Sequence, residues 1–169
     1  MRGRAIAFII IDGYNLIGIY HRDLEAERNR LIESLIRYRQ RKGHRIVLVF
    51  DGWKSGGIKE EHVERGGIEI IYSRLGERAD NVIKRIISEK GQQWIVVTSD
   101  RGITSEVWRF GSIPVPSEVF YEKLWQIQKA YGETGDIEED ELQPTHGHRG
   151  NPHRLSKKDK AIRRAISKL

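Results

Sequence analysis

The apolar residues of this chain are grouped into short continuous runs that are rich in isoleucine and valine. The runs are AIAFIII (5–11), RIVLVF (45–50), IEIIY (68–72), WIVVT (94–98) and the proline-containing IPVPS (113–117). Runs of this length and composition are typical of strands that are buried on both faces of a parallel sheet. The prolines of the last run place it at an edge of the sheet, because proline cannot donate a hydrogen bond to a second neighbouring strand.

Between these runs, apolar residues recur at the three- and four-residue spacing of amphipathic helices. The pattern predicts a helix over 24–42 that ends at Gly43, a second from about Ala79 to before Gly91, a third over 102–110 and a fourth through 119–127. Strands that alternate with helices predict an α/β domain with a mostly parallel sheet, here over residues 1–132. The glycine-rich, charged stretch 52–67 is predicted to be a long loop.

The C-terminal part of the chain has a different composition. Residues 133–153 are polar and acidic with Gly and Pro, which predicts a linker. Residues 154–169 are predicted to form a basic amphipathic helix or tail, with Ser156 as its N-cap and Asp159 three residues later. The apolar face of this helix is expected to be covered by the preceding domain, to be covered by a partner, or to remain partly disordered in the free protein.

Charge and composition narrow the class of function. The net charge is +6, and eight of the Lys and Arg residues follow the acidic segment 136–141. A basic C-terminal segment favours a polyanionic partner such as nucleic acid, with a purely solubilising tail as the alternative. The absence of cysteine excludes disulfides and thiolate metal sites and favours a cytoplasmic location.

The N-terminal residues imitate a secretory signal peptide, with two arginines before an apolar stretch. Asp12 interrupts that stretch before any site that resembles a cleavage site. No later run approaches the roughly 20 apolar residues that a membrane span requires. We therefore expect a soluble protein without a membrane partner.

Aspartates follow several of the predicted strands. Asp12, Asp51 and Asp100 end the first, second and fourth runs, and Asp80 begins the helix after the third. Because the carboxyl ends of parallel strands lie along one edge of a sheet, these four acids should converge. Oxygen-only ligands suit Mg²⁺ or Mn²⁺, which can activate a water and neutralise charge on a phosphoryl oxygen. The alternative is that each aspartate is only a helix N-cap or turn residue.

The stretches DGYNLI, FDG, ADN and TSD, which follow or lie between these strands, resemble the NYN domain of the PIN-like nucleases, and most closely its YacP-like branch. The C-terminal GNPHRLSKKDKAIRRAISKL is also similar to that branch. The resemblance implies a three-layer α/β/α fold with strand order 3-2-1-4-5. It further implies a metal-dependent endoribonuclease that hydrolyses phosphodiester bonds of RNA, either ribosome-associated mRNA or another cellular RNA.

The resemblance also implies roles for individual residues. Asp12, Asp80 and Asp100 carry over as ligands of Mg²⁺ or Mn²⁺, Asp51 as a supporting acid and Asn15 as an orienting residue. Glu77 lies one turn before Asp80 and is the alternative helix ligand. From its own sequence context, Asn15 could instead cap the segment that follows it.

The RNA-binding residues are expected in two regions. Near the site these residues are Trp53, Lys54 and Arg101. Trp53 could stack on a base or pack on its own loop. In the tail they are Arg154, Lys157, Lys158, Arg163 and Arg164. The ribosome is a second expected partner. The rival hypothesis is a non-catalytic RNA- or ribosome-binding module with a relict acidic site. A DNA 5′-nuclease is less favoured, because those enzymes usually carry an additional helical region.

Overall fold

Helices alternate with strands around a central sheet. The computed structural model describes residues 6–18, 22–52, 57–89, 91–130 and 156–169. The strands are β1 (Phe8–Asp12), β2 (Arg45–Phe50), β3 (Glu61–Arg65), β4 (Ile68–Tyr72), β5 (Ile95–Val97) and β6 (Ile113–Val115). The helices are α1 (Gly13–Ile17), α2 (Leu24–Lys42), α3 (Ala79–Ser88), α4 (Arg101–Arg109), α5 (Ser117–Lys129) and α6 (Lys157–Lys168). No helix within these ranges is both long and apolar enough to cross a membrane.

The sheet has the strand order β3-β4-β2-β1-β5-β6. The five strands predicted from the sequence are parallel and take the order that the resemblance implies, and β6 with its Pro114 lies at an edge. On one side of β1 lie β2, β4 and β3, and on its other side lie β5 and β6. The carboxyl ends of β1 and β5 are therefore neighbours at the point where the strand order reverses, which is where α/β sheets bind ligands.

The stretch 52–67 is not the long loop that its composition predicts. It contains β3, which pairs antiparallel with β4 and adds a sixth strand at the edge of the sheet. Gly66 and Gly67 connect the two strands with φ angles of 58° and 80°, a left-handed conformation that glycine adopts without steric cost. The prediction was wrong because β3 is almost entirely polar, and a strand at an edge does not need an apolar sequence.

Two cores cover the two faces of the sheet and give the predicted three-layer architecture. Ile9 and Ile11 of β1 pack on the face that holds α1, α2, α5 and α6. Ile10, between them, packs on the opposite face with α3 and α4. Successive side chains of a strand point to opposite faces, so a strand covered on both sides must be apolar throughout. This requirement explains the continuous apolar runs of the sequence.

Helix α6 packs against the α/β domain. Ala165 and Leu169 are buried in the same core as α2 and α5. The Tyr38 hydroxyl donates a hydrogen bond to the Leu169 carbonyl oxygen (3.0 Å), and His44 Nε2 lies 2.9 Å from the Lys168 carbonyl oxygen. The sequence left three possibilities for the apolar face of α6: the domain, a partner, or partial disorder. The structure shows that the domain itself covers this face. The predicted capping box between Ser156 and Asp159 is confirmed, whereas the predicted linker 133–153 lies outside the described residues.

The position of α6 relative to the sheet follows from its partners. His44 precedes β2, and its Nδ1 accepts a hydrogen bond from the N–H of Ala7, which precedes β1 (3.2 Å). Near the other end of α6, the Lys158 ammonium lies 5.4 Å from the centroid of the Trp108 ring, in the last turn of α4. Both ends of α6 therefore lie away from the carboxyl edge of the sheet.

Candidate active site

Two glycines allow the segments at the carboxyl edge to approach one another closely. A Cβ atom on Gly13 would overlap the Phe50 ring, and one on Gly52 would overlap the carbonyl oxygen of Ser73. The N–H of Gly52 donates to Ser73 Oγ (2.8 Å), and the N–H of Ser73 donates to the Phe50 carbonyl oxygen (3.0 Å). The Asp-Gly pairs of the sequence thus serve close packing between the ends of β1, β2 and β4.

We expect Gly52→Ala to lower the free energy of unfolding by about 1–3 kcal/mol or more, because the added methyl group forces the backbone around Ser73 to move. Gly57→Ala is the matched control, since a Cβ atom there meets only the Lys59 carbonyl oxygen at 4.0 Å. Urea denaturation of both variants measures the difference. Equal unfolding midpoints for the two variants would contradict this account of the Asp-Gly pairs.

Asp12 ends β1 and is only 7% exposed. Its Oδ1 accepts a hydrogen bond from the N–H of Asn15 (3.2 Å), so it is the N-cap of α1. Burial is the largest cause that raises the pKa of Asp12 from 3.8 to about 7; the bond to Asn15 lowers it, and Asp80, Asp51 and Asp100 raise it further. Acids from four separate segments therefore act on one another at a single edge of the sheet, as the sequence predicts.

Asp100 is the N-cap of α4. Its Oδ1 accepts a hydrogen bond from the N–H of Gly102 (2.7 Å), and its own N–H donates to Thr98 Oγ1 (3.1 Å). The interpretation of Asp12 and Asp100 as helix caps is thus correct for both residues. It does not exclude a shared site, because the cap bond engages Oδ1 of each residue while the carboxylates still influence one another.

Asp51 caps a helix that belongs to another segment. Its Oδ1 accepts a hydrogen bond from the N–H of Ala79 (2.6 Å), whereas Arg78, the N-cap residue of α3, makes no side-chain cap bond. Asp51 thereby holds the first turn of α3, which carries Asp80. Burial is the largest cause that raises the pKa of Asp80; Arg78, 3.6 Å from its carboxylate, lowers that pKa, and Asp100 raises it.

The two candidates for the helix acid differ in their partners. Both carboxylate oxygens of Glu77 are engaged in ion pairs, with Arg74 (3.3 Å) and Arg85 (3.1 Å). Asp80, by contrast, is among the acids that raise the pKa of Asp12. Asp80 is therefore the better candidate for the helix ligand, because both carboxylate oxygens of Glu77 are already paired with arginines.

The side chain of Asn15 connects three segments near Asp100. Its Oδ1 accepts hydrogen bonds from the N–H of Ser99 (2.8 Å) and from the hydroxyl of Ser117 (2.6 Å). Ser99 Oγ accepts from the N–H of Ser117 (3.0 Å) and donates to Glu118 (2.7 Å). Asn15 thus fixes the turn before Asp100 relative to α1. The sequence patterns did not point to Ser117 or Glu118; the available signal was a serine after proline at the start of a helix.

The donor chemistry at this edge fits Mg²⁺ or Mn²⁺. Asp12, Asp80 and Asp100 offer only oxygen atoms, and a divalent cation would neutralise the repulsion that, together with burial, raises the pKa of Asp12 and of Asp80. Their spacing is not that of an assembled site, because the described residues contain no group of three or more His, Cys, Asp or Glu side chains placed to hold a metal ion.

The predicted RNA-binding residues are not all brought to this edge. Trp53, Lys54 and Arg154 lie outside the described residues. Arg101 is exposed at the first position of α4, directly after Asp100. The tail residues that the structure describes are exposed on α6: Lys157, Lys158, Arg163 and Arg164. The cations of α6 therefore belong to a second surface, separate from the carboxylates.

Comparison with known proteins identifies the family. The model of the YacP-like NYN domain matches residues 9–164. The chain belongs to the YacP-like NYN domain family. Its relative YacP of Bacillus subtilis (strain 168) is 29% identical over an alignment of 102 residues, and the match covers 54% of this chain. The chain spans 59% of the length of that relative.

Two crystal structures of Rae1 (YacP) from Bacillus subtilis share the fold. One of them, of a mutant in which a tryptophan is replaced by leucine, has a TM-score of 0.62 and 21% identity, over 74% of this chain and 79% of Rae1. A second Rae1 structure has a TM-score of 0.60 and 24% identity, over 74% of this chain and 77% of Rae1. NYN domains are related to the PIN nucleases, so this YacP-like NYN domain has a nuclease-type fold.

The raised pKa of Asp12 makes the stability of this NYN domain depend on pH. Between about pH 4 and pH 7 the folded protein binds a proton at Asp12 that the unfolded chain does not bind. As the pH rises from about 4 to about 7, the contribution of Asp12 to the free energy of unfolding should therefore fall by up to about 4 kcal/mol. Above this interval it should stay constant. Asp12→Asn should make the stability of the metal-free protein less dependent on pH.

Urea denaturation at pH 5 and pH 7.5, with a chelator present, measures this effect. Asparagine caps a helix as well as aspartate does, so the substitution retains the cap of α1. If the wild-type protein and Asp12→Asn lose the same stability between the two pH values, Asp12 is not the group that titrates.

Proposed function

We propose that this protein is a metal-dependent endoribonuclease. Its active site is formed by the four side-chain carboxylates of Asp12, Asp51, Asp80 and Asp100, which together we call the carboxylate group. The observation that carries the proposal is the convergence of four aspartates from four segments on the edge where the strand order reverses. The relation of the NYN family to the PIN nucleases supports RNA as the substrate.

Each residue has a role that its contacts support. Asp12, Asp80 and Asp100 would hold Mg²⁺ or Mn²⁺, which when bound supplies water activation and neutralises charge on a phosphoryl oxygen. Asp51 holds the first turn of α3 and thereby Asp80. Asn15 holds the turn that precedes Asp100.

The substrate would contact two cationic regions. Arg101, exposed beside Asp100, would bind a phosphate near the cleaved bond. The exposed cations of α6 would bind a more distant part of a long RNA, since both ends of this helix lie away from the carboxyl edge. A short single strand should therefore need only the first region, whereas structured RNA or ribosome-bound mRNA could use both.

Cleavage of end-labelled RNA tests the proposal. A short single strand, a structured RNA and mRNA in a ribosome complex are incubated with the protein and Mg²⁺, Mn²⁺ or a chelator, and the product ends are mapped. Internal cuts that require a metal and disappear in Asp100→Asn support the endonuclease. Binding without cleavage under every metal condition would instead support the non-catalytic RNA-binding module.

A further inference from the structure

Three aromatic rings form a row at the carboxyl edge of the sheet. Tyr14 of α1 packs against Phe50 at the end of β2 with 5.0 Å between ring centroids. Phe50 stacks on Tyr72 at the end of β4 with 5.7 Å between centroids. Tyr14 and Phe50 belong to the core on the α2 side of the sheet, and Tyr72 packs against that core. The row is adjacent in sequence to two acids of the carboxylate group, because Phe50 directly precedes Asp51 and Tyr14 lies two residues after Asp12.

Arg28 of α2 contacts both ends of this row. Its Nη1 donates a hydrogen bond to the Tyr14 hydroxyl (3.3 Å). Its Cζ lies 5.8 Å from the centroid of the Tyr72 ring. These contacts hold the guanidinium at the edge of the sheet that carries the carboxylates.

The partners of Arg28 hold its position but do not neutralise its charge. A phenol hydroxyl and an aromatic face are both uncharged, and none of the ion pairs formed among the described residues involves Arg28. Arg30, two residues along the same helix, pairs with Glu27 at 2.7 Å. A guanidinium that is held in place with an uncompensated charge is suited to binding a phosphate through its planar set of donors.

We propose that Arg28 is a phosphate-binding residue for RNA, and that it holds a nucleotide next to the cleaved bond. The proposal deepens the proposed nuclease function and rests on it for the identity of the ligand. The aromatic row that supports Arg28 lies next to Asp12 and Asp51 in the sequence, so RNA bound at Arg28 passes along the ends of β4 and β2 toward the carboxylates. The same contacts would also be made by an arginine that only ties α2 to α1, so the test must separate the two roles.

Binding is measured first, by fluorescence anisotropy of a labelled 12-nucleotide single strand in a chelator, with Asp100→Asn as the background so that no cleavage occurs. Arg28→Gln should weaken binding about tenfold at low salt. It should also reduce the slope of log affinity against log salt by about 0.7, the value for one phosphate contact on a single strand. Arg28→Lys should keep the slope and lose part of the affinity, because it retains the charge but not the planar donors.

Two controls separate phosphate binding from a general charge effect and from a structural role. Arg30→Gln removes one charge from the same helix and should leave the salt slope unchanged. Tyr14→Phe removes the acceptor of the Arg28 hydrogen bond and keeps both the ring and the charge, so it should lower thermal stability without changing the slope. Equal slopes for Arg28→Gln and Arg30→Gln would overturn the proposal, as would a loss of affinity in Arg28→Gln without any change in slope.

Cleavage kinetics provide the second measurement, in the protein with Asp100 intact. Arg28→Gln should raise KM about tenfold and leave kcat within about twofold, since the lost contact is made equally in the bound substrate and in the transition state. An unchanged KM would overturn the proposal while leaving the nuclease function in place. If the wild-type protein cleaves no RNA, the proposed function fails, and the salt slope alone decides whether Arg28 binds phosphate.

Discussion

Asp100→Asn and Asp12→Asn are each expected to lower the rate of metal-dependent RNA cleavage by more than about 100-fold. Loss of a residue that only orients a metal ligand already costs about 10- to 100-fold in many metal sites, so loss of a ligand charge should cost more. Asparagine retains the helix-capping oxygen at both positions, so α1 and α4 should still form. The measurement is the initial rate of cleavage of a labelled RNA at saturating Mg²⁺ or Mn²⁺.

Asp23→Asn is the matched control for this pair. Asp23 is also a helix N-cap, whose Oδ1 accepts a hydrogen bond from the N–H of Ala26 (3.0 Å), but it is exposed and outside the carboxylate group. This variant should cleave at the wild-type rate. If Asp12→Asn and Asp100→Asn retain wild-type activity as well, the carboxylate group is not the active site.

Leu169→Ala is expected to lower the free energy of unfolding by about 2–5 kcal/mol, the usual cost of shortening a buried leucine. Leu169 is 2% exposed and shares a core with Tyr38 and Phe120. Removal of the whole of α6 should destabilise the protein further, because it also removes the hydrogen bonds to Tyr38 and His44. Urea denaturation followed by tryptophan fluorescence measures both effects.

Arg163→Ala is the control on the same helix, and it should change stability by no more than about 0.5 kcal/mol because its side chain is exposed. A Leu169→Ala variant as stable as Arg163→Ala would show that α6 does not contribute to the core. Since deletion of α6 is expected to disturb the fold, the proposed contribution of α6 to RNA binding is better measured with charge-neutralising variants such as Lys157→Gln and Arg164→Gln.

The sequence by itself determined the five parallel strands and the spans of the main helices, whereas the order of the strands was implied by the resemblance to the NYN domain. A strand covered on both faces must be apolar at every position, so β1, β2 and β5 are visible as continuous runs. Helix ends are specified locally, as at Gly43, which ends α2 in the left-handed conformation with a φ of 73°. The convergence of Asp12 and Asp100 was predictable from the same rule, because parallel strands deliver their carboxyl ends to one edge.

Only the tertiary structure decided the features that depend on contacts between distant segments. An edge strand can be polar, so β3 was visible only through its pairing with β4. The cap that Asp51 provides to α3 and the ion pairs that engage Glu77 join residues whose relation no local pattern specifies. The same is true of the cover over α6 and of the aromatic support beneath Arg28. An amphipathic face shows that something must cover it, and an arginine shows that a charge is present, but the partner of each is set by how the whole chain packs.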